Sequence, residues 1–153
     1  MKKLTLDFDE PNGYSAIGIS SQLADYKLLF HVNRILKLQF IRVENFEISN
    51  KYFSGNFSLY IHQDQNNRLD FFLMANKSDG KVLVSEFKQL DFLFIIEGEI
   101  DPVFISNITS KLRKIPQVLF TQKIDIEGIK NYSVLSEAFE MHLDRVMEGK
   151  KMG

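Results

Sequence analysis

From Leu90 to Gly98 the chain reads LDFLFIIEG, and its centre, Phe92 to Ile96, is unbroken apolar sequence. The run is far short of the roughly 20 residues that cross a bilayer. Apolar on both faces, it reads as an interior strand of a sheet. The rest of the fold must be organised around that strand.

The preceding sequence reads as a meander. LQFIRVENFEI predicts a strand at about 38–48. In FSLYIHQ, Phe57, Leu59 and Ile61 alternate with Ser58, Tyr60 and His62, and LDFFLMA follows after the polar loop Asp64 to Arg68. SDGK signals a hairpin, because Gly80 after Asp79 accepts the positive φ of a tight turn, and VLV returns along it. At the N-terminus Leu4, Leu6 and Phe8 alternate with polar residues as a half-buried strand, and EPNGY breaks the pattern.

Three segments carry helical periodicity. Between about Gln22 and Lys37, residues Leu28, Leu29, Val32, Ile35 and Leu36 share one face. Ser20, Ser21 and Asp25 are the candidates for its cap. Asp101 and Pro102 open a second helix as N-cap and first-turn proline. Ile105, Ile108, Leu112 and Ile115 line its buried face, and Lys111, Arg113 and Lys114 complement the dipole in its last turns. Pro116 stops it, and VLFTQKIDI is a last strand. Leu135, Ala138, Phe139, His142, Val146 and Met147 then mark an amphipathic terminal helix. The expected fold is α+β: a single domain over 1–130 with a mostly antiparallel sheet of about six or seven strands. Two helices pack on one face of it, and a helix and tail over 131–153 packs on the domain or on a partner.

Composition narrows the functions. The chain has 153 residues, 44% hydrophobic and 25% charged, which suits one globular domain. Fourteen Phe and no Trp indicate a Phe-rich core. A net charge of −1 with dispersed basic residues argues against nucleic acid, which is bound by basic stripes. RNA stacking on the sheet through Tyr60 and Phe72 is the remaining form of that idea. Absence of Cys removes disulfides, thiolate metal sites and a thiol nucleophile. MKKLTLDFDE lacks the apolar core of a signal peptide, so the expectation is a cytoplasmic protein without membrane association.

Taken together in order and spacing, several segments resemble a family of small bacterial proteins named for the signature I-P-E-x-x-x-V-D-Y. Here Val84-Ser85-Glu86, three residues, then Leu90-Asp91-Phe92 occupy those positions, and both acidic residues are kept. IGISSQLADYKL, FLMANKSDG and KLRKIPQV are similar to family members too. The resemblance spans about residues 3 to 126 and leaves out the terminal helix after Ile129. It brings no catalytic, binding or cofactor residues with it. Ser85 in place of the signature Pro relaxes any restraint that Pro would place on Val84.

Glu86 and Asp91 are the first candidates for chemistry. Five residues apart, they point to opposite faces of a strand, and they lie about 140° apart on a helix. Extended, they stand about 17 Å apart, against the roughly 5–10 Å of a glycosidase pair. The simpler reading has Asp91 accepting backbone N–H groups in the bend before the interior strand, with Glu86 paired to Lys88 or facing solvent. His62 is a further candidate: with Asp64 it places two ligands on one side of a strand, where a metal needs three or four. His142 sits in the apolar stripe of the terminal helix and His31 off the stripe of the first. Gly18-Ile19-Ser20 before a helix offers free N–H groups to an anion but lacks the glycines of a phosphate loop. No catalytic motif, metal site or cofactor is indicated. The leading expectation is a non-catalytic protein-binding or adaptor domain that acts through a protein partner or self-association, by a sheet face or an edge strand. The alternative is a small-molecule binder or small enzyme with a helix–sheet pocket near Glu86 and Asp91.

Overall fold

The computed structural model describes residues 13–49 and 53–152, so the strand expected at Leu4 to Phe8 lies outside the described residues. The elements run β1 (Tyr14–Ser21), α1 (Asp25–Leu36), β2 (Ile41–Ser49), β3 (Ser54–Asp64), β4 (Leu69–Ala75), β5 (Lys77–Ser78) and β6 (Lys81–Val82). They continue with β7 (Phe92–Glu97), α2 (Pro102–Arg113), β8 (Val118–Ile124) and α3 (Tyr132–Met152). Short 3₁₀ turns at Ser85–Phe87 and Ile126–Gly128 lead into β7 and α3. The fold is α+β, and six strands form one antiparallel sheet in the order β2-β3-β4-β7-β1-β8, with β5 and β6 as a separate hairpin.

Phe92 to Ile96 does form an interior strand: β7 is paired with β4 on one side and β1 on the other. β1 was not expected as a strand. YSAIGISS shows no alternation because nearly every residue in it is covered. Its Gly18 lies under Leu90, and a Cβ built there would stand 2.1 Å from Leu90 Cδ1. The small residues that lower its strand signal are those that let Leu90 approach the backbone.

Cross-strand rows assign the two faces. Ile17, Phe94, Leu73 and Tyr60 form one row, and it faces α1: Phe94 packs on Phe40 at 5.9 Å between ring centroids, and the Tyr60 hydroxyl donates to Asp25 Oδ2 at 3.1 Å. α2 contacts both α1 and β8. The adjacent row, Ala16, Ile95, Phe72 and Ile61, faces α3, where Phe139 meets Phe72 edge-on at 5.2 Å. Helices therefore cover both faces: α1 and α2 share one, as expected, and the terminal helix packs on the domain by covering the other. A strand apolar on both sides needs both sides covered.

Local signals account for most boundaries. Asp101 Oδ1 accepts the Phe104 N–H at 2.8 Å and Pro102 follows, as expected for the start of α2. α1 starts differently: Ala24 is its N-cap with no side-chain bond, and Asp25 Oδ1 accepts the neighbouring Tyr26 N–H. Ser20 and Ser21 lie in β1, so neither caps α1, and Gly18-Ile19-Ser20 is paired strand, not an anion loop. Lys37 ends α1 at φ 56°, and Asp79 and Gly80 turn the hairpin at φ 50° and 78°.

Candidate functional site

The segment Val84 to Asp91 is wound around one buried side chain, Asn76, at the end of β4. Asn76 Nδ2 donates to the carbonyls of Phe87 at 3.0 Å and Leu90 at 2.9 Å, and its Oδ1 accepts the Val84 N–H at 2.9 Å. Its own N–H donates to Asp91 O, and its carbonyl accepts the Leu83 N–H. Every polar atom of a fully buried residue is thus satisfied. No local rule singles out Asn76 in the sequence. Beside SDG it reads as one more polar loop residue.

Asp91 anchors the bend. Its Oδ2 accepts the Ser21 N–H at 2.8 Å, its Oδ1 stands 3.1 Å from Lys77 Nζ, and its N–H donates to Ile19 O at 2.8 Å. The carboxylate ties β1, β5 and β7 together at Ser21, where β8 bulges at Leu119 against Ser20 and Ser21. Glu86 does not pair with Lys88. Its Oε2 accepts the Lys130 N–H, and that bond holds its carboxyl below the ordinary glutamate range. An exposed residue of the first 3₁₀ turn therefore restrains the chain just ahead of α3. The two carboxylates serve different segments and share no partner.

His62 lies on the helix-covered face, not on an open polar one. Its ring packs between Phe40 and Phe71, and its Nδ1 accepts the Gln39 N–H at 3.2 Å. Asp64 binds Asn67 in the following loop, so His62 and Asp64 do not form a ligand pair. His142 is buried, with Nε2 donating to Glu44 O at 3.0 Å and Nδ1 accepting from Arg145 at 3.0 Å. It pins α3 to the bulge of β2, against Phe46. His31 packs on Phe30. Glu86, Asp91 and His62 do not converge on one pocket.

What the fold does form is a partly open apolar cavity of about 90 Å³ between the sheet, the segment after the hairpin, and α3. Ala16, Leu93 and Ile95 are on its sheet side, Val84 and Phe87 on its flank, and Ser136 and Phe139 on α3. Tyr14 stands at the edge of this cavity. Burial first, then Glu97 and Glu140, raise its pKa far above the ordinary phenol range. Glu97 is opposite both Tyr14 and Asp70 in the sheet. Burial raises the pKa of Glu97, as do Asp70, Glu140 and Asp144, and burial likewise raises Asp70. These carboxylates form an electronegative rim between the sheet and α3, and no grouping fit to hold a metal ion occurs among the described residues. No helix among the described residues is long and apolar enough to cross a membrane. Neither protein-family models nor curated proteins match this chain.

Proposed function

We propose that the chain is a non-catalytic protein-binding domain of the cytoplasm, a member of the IPExxxVDY family, that takes up an extended apolar segment of a partner along β8. One observation carries the reading. Among the described residues β8 is a sheet edge, its sequence VLFTQKI holds a single charge, and Leu119 and Phe120 are 67% and 40% exposed. An edge strand of that composition presents unpaired backbone groups together with side-chain anchors, the two ingredients of strand addition. The opposite edge contrasts with it. β2 carries Arg42, Glu44 and Glu47, is bulged between Val43 and Phe46, and is held by α3 through Glu44. β8 has a bulge of its own at Leu119, so charge and the hold of α3 make the contrast, and charges are one way in which proteins discourage pairing at an edge.

The test compares affinity capture from native lysate by the wild-type chain and by Leu119→Lys/Phe120→Asp. Circular dichroism and a melting curve show that the double variant is folded. Loss of the same captured proteins from the variant supports strand addition at β8. Equal capture by both, or a wild-type chain that captures nothing and sediments as a strict monomer at high concentration, overturns it.

A further inference from the structure

We propose that the cavity under α3 binds the alkyl tail of a small amphiphile whose cationic head lies in the neighbouring cleft at the start of β1. The site does not use the Leu119 and Phe120 anchors of strand addition, although Lys123 and Ile124 at the end of β8 line it. It begins with side-chain size. Ala16 on the sheet and Ser136 on α3 are both small, and both line the same space. Glu86 holds the chain just ahead of α3 at Lys130, and His142 holds α3 at Glu44, so the helix is restrained at its entry and at one point along its length. With those restraints the helix does not simply settle onto Ala16, and a space of about 90 Å³ remains. A cavity of roughly 150 Å³ lined by aliphatic and aromatic groups accepts benzene. The smaller one here suits the end of an unbranched chain better than a ring.

The head group follows from what adjoins the cavity. Tyr14, Ala16, Ile124, Ile126 and Tyr132 line both the cavity and a second, polar cleft of about 590 Å³. The remaining walls of that cleft include Ser15, Lys123, Asp125 and Glu127, one lysine against two carboxylates. Glu97, opposite Tyr14 in the sheet, and Glu140 act on the Tyr14 hydroxyl in the same negative sense. An apolar chamber that shares a wall with an acidic cleft is the shape of a receptor for a molecule apolar at one end and positive at the other. Charge complementarity disfavours a carboxylate head at the same place.

The probes are n-hexylamine, n-hexanol and hexanoate, chosen for one tail and three heads, titrated at matched pH and ionic strength. Isoleucine and leucine methyl shifts in two-dimensional NMR report the tail. Saturable shifts are expected for methyls of Leu93, Ile95 and Leu135, with hexylamine bound about tenfold more tightly than hexanoate, a difference of about 1.4 kcal/mol. Filling the cavity from either side, by Ala16→Leu in the sheet or Ser136→Leu on α3, should weaken hexylamine at least tenfold. Two variants are used so that failure of one to fold leaves the other decisive. Glu127→Lys, on the cleft and outside the cavity, should reduce the hexylamine preference and leave hexanol unchanged. Absence of saturable shifts with all three probes, equal binding in a folded cavity-filled variant, or a preference for hexanoate would overturn the proposal.

Discussion

At the residue scale, Asn76 organises the segment that carries the family resemblance. Asn76→Ala leaves the Val84 N–H and the Leu90 carbonyl without partners in a buried site, while the Phe87 carbonyl keeps the Leu90 N–H. Each of these two buried orphans costs about 1–3 kcal/mol, so a loss of at least about 2 kcal/mol is expected in denaturant unfolding. Asp91→Ala removes a charged acceptor from Ser21 and an ion pair from Lys77, and about 1.5–3 kcal/mol is expected for the hydrogen bond alone. Glu86→Ala should cost less, because its bond lies at the surface. Thr121 behaves in the opposite sense. Its Oγ is the buried side-chain oxygen without a hydrogen-bond partner among the described residues. Thr121→Val keeps the shape and removes the unsatisfied hydroxyl, so its melting temperature should equal or exceed that of the wild type. The role of Asp91 was legible because an Asp beside a bend has a local rule. Those of Asn76 and Glu86 were not, since the Glu86 partner, Lys130, lies far along the chain and nothing local points to it.

At the element scale, α3 is part of the core. Phe139 touches Tyr14, Phe46 and Phe72, and His142 bonds the backbone of β2. A chain ending at Asn131 would expose Phe46, Phe72 and the cavity wall together. It should therefore aggregate or lose cooperative melting, whereas a merely appended helix would leave the melt unchanged. The carboxylates under α3 make its attachment depend on pH. The pKa values of Glu97 and Asp70 are raised in the folded state, so folding favours their protonated forms. Stability is then greatest below the unfolded carboxylate range and falls as pH rises through it to the raised folded values. Glu97→Gln removes the Glu97 part of this dependence. It should raise the melting temperature at pH 7.5 and change it little at pH 4, each kcal/mol recovered being worth about 2–4 °C at this chain length. The helices were readable from 3.6-residue spacing and, for α2, from Asp101 and Pro102. β1 was not, because alternation vanishes when both faces are covered and Gly18 and the serines lower strand propensity.

For the whole molecule, the order of strands was beyond the sequence signals. β1 pairs with β7 and β8, which follow it by about 70 to 110 residues, and no turn chemistry specifies such partners. The run Phe92 to Ile96 did contain the decisive hint, since a strand apolar on both faces calls for a layer on each side. Once both faces are covered, contact through the sheet is confined to its edges. Both are bulged, but β2 carries three charges and is tied down by α3, whereas β8 carries one charge and its bulge residue is the exposed Leu119. Hydrogen exchange separates an open edge from one that a second copy already covers. In dilute solution β7, β4 and β1 should exchange slowest, and the β8 amides that do not face β1 should exchange fastest among the sheet strands. Protection of those amides that grows with protein concentration would identify a second copy as the strand that β8 takes up. Protection equal to that of β7 at every concentration would mean that β8 is not an open edge, and strand addition there would fail with it.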